Sequence, residues 1–343
     1  MRAAFAIMSS MKNEINRVAI VRLSALGDIV NSAIILQFVK AAYPKVKVEW
    51  ITEEIFAPLL QECQDLDSVH TINIKQIKKT KSLSLLNTNI KKLNALREFD
   101  LIIDMQGLIK SSIVARILGK NTHGFDKDST RESLAAFLYK TSSHISYESG
   151  VVKRNCFLVS EALDFEITDE MILNKKPIFQ ISHDFNFQND KKNIAFVIGA
   201  SWSSKIYPKE QLVKVCNALE QDVYIIWGDI KEKESAEWIC EHSEYATLAP
   251  KLDLSELVSF ISAMDLVIGN DTGPTHLAWA QNIPSITLFG PTTSRMIYET
   301  PYNLAIKSPS KVDILKIDKN DYSIKDIQAK IIVHKAKELL YGL

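Results

Sequence analysis

Short apolar runs, each closed by a polar or glycine-bearing turn and followed by helical spacing, recur along this chain. The first, Val18 to Leu23, reads as a buried strand. Ser24-Ala25-Leu26-Gly27-Asp28 makes the turn after it, and Ile29 to Ala42 repeats apolar residues at helical intervals. Lys47 to Thr52 and Leu101 to Asp104 are predicted strands, with a helix at Leu108 to Leu118 after Gly107. The rhythm resumes with strands at Asn193 to Ile198, Val223 to Trp227, Leu266 to Ile268 and Ile286 to Phe289. Helices are expected between and beside them at Lys209 to Leu219, Ser235 to His242, Leu254 to Ala263 and Thr275 to Gln281. A last amphipathic helix is expected at Ile324 to Leu340. Strands alternating with helices imply parallel sheets covered on both faces.

Two such series in 343 residues predict two domains. The polar stretch from Pro177 to Lys192 interrupts the pattern and is the expected linker. The predicted α/β organisation is a Rossmann-like domain at 1–176, the linker at 177–192 and a second Rossmann-like domain at 193–320. A C-terminal helix at 321–343 is expected to pack back on the first domain. Two parallel-sheet domains facing one another leave a cleft lined by the carboxyl ends of strands, where such sheets bind ligands.

Composition sharpens this picture. Hydrophobic content of 46% and charged content of 24% are those of a globular protein with a real core. Cys63, Cys156, Cys216 and Cys240 are scattered and form no C-x-x-C pair, which argues against a disulfide framework or zinc cluster and for a reducing cytoplasm. No apolar run reaches the roughly 18 to 20 residues that span a bilayer. Residues 1–10 read as an extension upstream of a start at Met11, not as a signal peptide.

Net charge is zero, and no nucleic-acid partner is expected. The charge is unevenly divided: residues 1–176 carry a basic surplus of four and residues 177–343 an acidic surplus of four. Lys75, Lys78, Lys79, Lys81, Lys91, Lys92 and Arg97 fall in a stretch with no acidic residue. That stretch is either a solvated helix face or a landing surface for an anionic acceptor or an anionic bilayer.

Chemistry is expected in the loops after strands. Gly269-Asn270-Asp271-Thr272-Gly273-Pro274-Thr275-His276 joins a strand to a helix, and its helix start suits a diphosphate. Gly199 to Pro208 offers hydroxyls and Lys205 to phosphate oxygens. Trp227-Gly228-Asp229 through Glu232 has carboxylates that suit ribose hydroxyls. Asp28 opens a helix beside the cleft, where a carboxylate can act as general base. Taken singly, each also reads as a capped turn or a solvated loop. The chain has no G-x-G-x-x-G, no P-loop and no G-x-S-x-G elbow. Asp65-Leu66-Asp67 and Asp126-Lys127-Asp128 have D-x-D spacing without an evident strand before them, so no catalytic metal is expected.

Together the segments resemble glycosyltransferase family 9, the lipopolysaccharide heptosyltransferases of GT-B type, over roughly residues 18 to 320. The resemblance is carried by Val21 to Asp28, Asp104 to Ser111, Trp227-Gly228, Leu248 to Lys251, Asp271 to Leu277 and Phe289 to Thr292, in that order. Trp50 to Glu54, Asp104 to Ser111 and Gly124 to Ala135 are similar to the branch that places the first heptose on Kdo of Kdo-lipid A. The resemblance implies an ADP-heptose donor, inverting transfer without a required metal or other cofactor, and work at the inner leaflet of the cytoplasmic membrane. It implies Asp28 as the base, Lys205 at the diphosphate, Asp271, Thr272, Gly273 and His276 at the donor phosphates and heptose, and Glu232 at the ribose. Ser201 matches a hydroxyl-bearing position of the donor loop, and Leu252 stands where relatives carry methionine against the adenine. Lys75, Lys78, Lys79, Lys81, Lys110 and Arg131 are the expected contacts to an acceptor rich in carboxylates and phosphates.

Overall fold

A computed structural model describes residues 15–96, 98–187 and 190–342; the expected extension at 1–10, Arg97 and Asn189 lie outside these residues. The first lobe is built on β1 (Arg17–Val21), β2 (Lys47–Glu53), β3 (Ser68–Ile72), β4 (Leu101–Asp104), β5 (Thr122–Phe125) and β6 (Thr141–Ser143). Its helices are α1 (Leu26–Ala33), α2 (Ile35–Ala42), α3 (Ala57–Gln61), α4 (Ile74–Thr80), α5 (Leu83–Ala95), α6 (Ile109–Leu118), α7 (Val151–Leu163) and α8 (Asp169–Leu173). The second lobe has strands β7 (Asn193–Val197), β8 (Asp222–Ile226), β9 (Ala246–Leu248), β10 (Leu266–Asn270), β11 (Ser285–Phe289) and β12 (Asn303–Lys307). With them go α9 (Lys209–Leu219), α10 (Ile230–His242), α11 (Leu254–Ser262), α12 (Gly273–Ala280) and α13 (Ala329–Tyr341).

Both sheets are wholly parallel, and both have the same order. The first runs β3-β2-β1-β4-β5-β6 and the second β9-β8-β7-β10-β11-β12, so each lobe reads 3-2-1-4-5-6 in its own count. β1 pairs with β4 through Val18 and Leu101, and β7 pairs with β10 through Ile194 and Leu266. At these pairs the winding of each lobe reverses, which opens a crevice at the carboxyl ends of the strands. The central strands are near-continuous apolar runs because helices cover both faces: Val18, Ala19, Ile20 and Val21 are all buried, as are Leu266, Val267 and Ile268.

Two expectations need correction. The predicted helix from Ile29 to Ala42 is two helices, α1 and α2, meeting at Ile34. Within the expected linker at 177–192, Ile178 and Phe179 are buried, and the Ile178 N–H donates to Ala280 O of the second lobe at 3.1 Å. The C-terminal helix does not return to the first lobe. α13 packs against α9, and its Ile332 and Ala336 join the second lobe's core with Leu212, Val215 and Cys216. Ala329 to Tyr341 presents its apolar stripe to the sheet nearest in sequence, which buries it without crossing the cleft. Among the described residues, no helix is long and apolar enough to cross a membrane.

Candidate active site

The four loops that leave β1, β4, β7 and β10 converge on one cavity of about 610 Å³ between the lobes. From β1 come Arg22, Ser24 and Asp28; from β4, Gln106 and Leu108; from β7, Ser201, Trp202 and Lys205; and from β10, Asp271, Thr272, Gly273 and His276. The lobes touch at its floor, where α1 packs on α12. A Cβ on Gly27 would stand 2.6 Å from His276 Cδ2, and one on Gly273 would stand 2.5 Å from Leu26 Cγ. The two glycines therefore let the helices that begin the two half-sites approach each other. The bare Cα of Gly273, a residue implied at the donor, makes room for Leu26.

In the first lobe, Asp28 sits in the opening turn of α1 and is half-buried. Arg22 Nη2 holds Oδ1 at 2.7 Å, and the Ala25 N–H donates to Oδ2 at 3.2 Å. The loop is braced from β4. The Leu23 N–H donates to Gln106 Oε1 at 3.0 Å, and Lys110 Nζ donates to Ser24 Oγ at 3.1 Å. Buried Asp104 in turn shapes that brace by accepting from the Gln106 N–H at 2.8 Å and from Tyr139 Oη at 2.7 Å. Burial pushes the Asp104 carboxyl above its ordinary range against those hydrogen bonds.

The second lobe presents a locked cluster. Lys205 Nζ lies 2.8 Å from Asp271 Oδ2, with side-chain exposures of only 9% and 5%. Thr292 Oγ1 donates to the same oxygen at 2.7 Å, and His276 Nε2 meets Oδ1 at 3.2 Å. Burial works to raise the Asp271 carboxyl, but the Lys205 ammonium and His276 outweigh it and hold it well below the usual carboxylate range. Asp271, expected at the donor phosphates, here grips the lysine that faces the cavity. The helix start is also poorer in free amides than expected, because Pro274 has no N–H and those of Thr275 and His276 bond to Thr272 O.

Several cavity residues carried no local sequence signal. Arg154 and Arg295 join Arg22 and Arg131 on the wall, so four guanidinium groups face one space. Arg154 stacks over the Phe125 ring at 4.4 Å and Arg295 over Tyr147 at 4.1 Å. Burial and the neighbouring Arg295 and Arg22 pull Arg154 down to about 10, so it remains charged at neutral pH. Among the described residues, Arg131, Arg154 and Arg295 have no salt-bridge partner, and the buried Nε atoms of Arg22 and Arg295 and Nε1 of Trp202 have no hydrogen-bond partner. Those donors suit an anion. Val312, Ile314 and Ile317, from the segment after β12, give the cavity an apolar roof.

The remaining expected residues lie around this cavity or away from it. Glu232 does not line it; its carboxylate accepts from the Gly228 N–H and fills the space beside Gly199, at the ends of β7 and β8. Leu252 is half-buried against the core that includes Ile226 and Ala249, after a loop fixed by Trp227 Nε1 donating to Ala249 O at 2.8 Å. Lys110 stands behind Ser24, whereas Lys75, Lys78, Lys79 and Lys81 are exposed on and after α4, outside the cavity. Asp126 does follow a strand, β5, contrary to expectation. With Asp128 and His144 it forms the one metal-like grouping among the described residues. Its acceptors serve a turn, taking the N–H groups of Asp128 and Ser129, and the group is outside the cavity.

The chain matches the family model described as glycosyltransferase family 9 (heptosyltransferase) over residues 89–312. It is 36% identical over 342 residues to a lipopolysaccharide heptosyltransferase 1 of Campylobacter coli, covering 94% of this chain and 98% of that one. In fold it is similar to the E. coli heptosyltransferase WaaC with ADP-2-deoxy-2-fluoro heptose, with TM-score 0.77, 23% identity, and coverage of 94% of this chain and 99% of that one. It is also similar to the E. coli ADP-heptose lps heptosyltransferase II, with TM-score 0.69, 18% identity, and coverage of 95% and 99%. The paired six-stranded parallel sheets are thus the GT-B arrangement of those transferases.

Proposed function

The chain belongs to glycosyltransferase family 9, and from that premise we propose that it transfers L-glycero-D-manno-heptose from ADP-heptose to Kdo of Kdo-lipid A, in the inner core of lipopolysaccharide. The observation that carries the mechanism is an elimination. Only Asp28 and Asp271 bring carboxylates to the cavity among the described residues, and Asp271 is committed to Lys205, His276 and Thr292. Asp28 is left to act as the base. Its carboxylate takes the proton of an acceptor hydroxyl while that oxygen attacks the anomeric carbon of the heptose from the first-lobe side. The bond from that carbon to the β-phosphate oxygen breaks, and ADP leaves toward the second lobe with inversion. General-base assistance of this kind is worth about 10²–10⁴-fold in rate.

On the leaving-group side, Lys205 meets the growing diphosphate charge. Preorganised contacts of this type supply roughly 3–4 kcal/mol each. Asp271 keeps the lysine extended toward the cavity, so no reorganisation is needed during the reaction. Ser201, Thr272 and the start of α12 complete the phosphate side, and Glu232 with Leu252 forms the shelf for ribose and adenine. With Lys205 held at the diphosphate, no metal is assigned to the step. Arg131, Arg154 and Arg295 face the acceptor, whose Kdo carboxylate and lipid A phosphates match them in charge. Such an acceptor is anchored in the cytoplasmic leaflet of the inner membrane, so the enzyme works peripherally on that face.

Mass spectrometry of the product from ADP-heptose and Kdo-lipid A tests the reading. A single added heptose is expected. Transfer only to an acceptor that already carries heptose would overturn the choice of Kdo, and ADP release without acceptor glycosylation would overturn transfer itself.

A further inference from the structure

The first lobe exposes a group of large apolar side chains that its core does not use. Leu134 (65% exposed) and Phe137 (77%) stand three residues apart in the 3-10 turn Ser133–Leu138, a spacing that puts both on one side. α6 packs against that turn and presents Ile109 and Ile113, four residues apart, to solvent. The Ile109 N–H donates to Glu132 Oε2 at 2.7 Å, which ties the start of the helix to the start of the turn. α6 also packs against α5, whose first turn adds Leu83 (79% exposed) and Leu86. Single exposed leucines are ordinary on a soluble surface, but adjoining elements presenting six such side chains mark an interaction face.

Two further observations say what covers it. Leu108 and Arg131, the residues just before Ile109 and Glu132, line the cavity, so the apolar face borders the cavity mouth. Beside it, α4, α5 and the turn between them carry Lys75, Lys78, Lys79, Lys81, Lys91 and Lys92, all exposed, with no acidic residue among them. Lys78 lies close enough to Lys110, at the start of α6, to contribute to lowering it. Protruding leucine, isoleucine and phenylalanine next to a lysine-rich helix pair match an anionic lipid surface, which offers acyl chains to the first and phosphates to the second.

We propose that this face is the membrane-docking surface of the protein. Leu83, Leu86, Ile109, Ile113, Leu134 and Phe137 enter the acyl boundary of an anionic monolayer, and the lysines of α4 and α5 lie on its headgroups. The inference rests on the reading of a lipid-borne acceptor, because docking here would bring the mouth of the cavity to the sugar while the acyl chains stay in the bilayer.

Sedimentation of the full chain with vesicles that contain no acceptor tests docking separately from catalysis. Wild type is expected to sediment with phosphatidylcholine vesicles containing phosphatidylglycerol, to remain in solution with phosphatidylcholine alone, and to be released by salt. Leu134→Ser with Phe137→Ser should weaken partition by at least about tenfold, since both side chains would no longer withdraw apolar surface from water. Turnover on a delipidated Kdo acceptor should be unchanged. Leu83→Ser with Ile113→Ser, on different elements, should do the same and guards against a local fault in the 3-10 turn. Wild type that stays in solution with anionic vesicles, equal binding to neutral ones, or folded variants that sediment like wild type would each overturn the proposal. Failure of wild type to use the delipidated acceptor would count against the acceptor reading and leave the vesicle result standing on its own.

Discussion

The two walls of the cleft solve opposite problems. On the second-lobe wall, Lys205, Asp271, His276 and Thr292 form a buried and mutually satisfied cluster. On the first-lobe wall, Asp28 is half-exposed and held by Arg22, whose Nε has no hydrogen-bond partner, and Arg131 and Arg154 have no salt-bridge partner among the described residues. A leaving diphosphate is the same in every turnover, so fixed dipoles and charges can be built for it in advance. A base must instead exchange its proton with each acceptor, and that requires a carboxylate still open to the incoming hydroxyl. The contrast predicts that damage to the two walls will have different kinetic signatures.

The largest effect is expected at the open wall. Asp28→Asn keeps the shape and the approach of Arg22 but removes the base, so kcat should fall about 10²–10⁴-fold. Affinity for ADP, measured by calorimetry, should stay within about twofold because the second lobe is untouched. Normal turnover in this variant would remove Asp28 from the mechanism.

At the locked wall, Lys205→Ala should lower kcat about 10²–10³-fold and weaken ADP binding as well. Asp271→Asn is the sharper probe. Removing one partner of a buried ion pair costs about 3–5 kcal/mol, because the other charge is left buried without compensation. Asp271→Asn should therefore lose stability in a denaturant titration, and saturating ADP should restore part of it by placing a new anion beside Lys205. Stabilisation by ADP no greater than in Lys205→Ala would mean that Lys205 does not meet the diphosphate. The pH behaviour follows from the depressed Asp271 carboxyl. Its folded value lies below its unfolded one, so its contribution to stability is complete above the unfolded value and is lost only as pH falls through the folded one. An acid limb of stability near neutrality cannot then come from Asp271.

The seam between the walls should respond less. Gly27→Ala would drive a methyl against the His276 ring, and Gly273→Ala would drive one against Leu26. Overpacking of this kind costs about 1–3 kcal/mol. Both variants should unfold at lower denaturant with an unchanged slope. Unaltered midpoints would mean that the lobes do not meet in solution as they do here.

Much of this was legible in the sequence because both lobes repeat one signal, an apolar run followed by a short loop and a helix start. Leu101–Asp104 and Lys209–Leu219 were read residue for residue. β6 and β9 were missed because they are three-residue edge strands, and Thr141-Ser142-Ser143 contains no apolar residue at all. Asp28 and Lys205 were legible from their loops. Arg154 and Arg295 were not, since each lies on an element that the topology brings to the cavity from far along the chain. For Asp271, a carboxylate next to a helix start suggests a cap or a ligand contact, and the fold adds Lys205 arriving from β7. The C-terminal helix was misplaced because an amphipathic stripe states that it will be buried without stating where.

Lys110 offers the smallest effect and the finest distinction. It is half-buried behind Ser24, and burial, against the pull of Glu53 and with Lys78 adding repulsion, lowers it from the ordinary lysine value. An ammonium so lowered loses its proton earlier as pH rises. If it helps to attract the anionic acceptor, KM for that acceptor should climb on the alkaline side before an ordinary lysine would titrate. A partly exposed charge contact is worth about 0.5–1 kcal/mol, so the rise should be about two- to fivefold. kcat should hold, because Gln106 Nε2 also donates to Ser24 Oγ, at 3.3 Å, and keeps the Asp28 loop braced without the lysine. Lys110→Arg, charged throughout, should abolish the alkaline rise, and Lys110→Met should show the raised KM at every pH. A fall in kcat with unchanged KM in Lys110→Met would move this residue from holding the acceptor to holding the loop that carries the base.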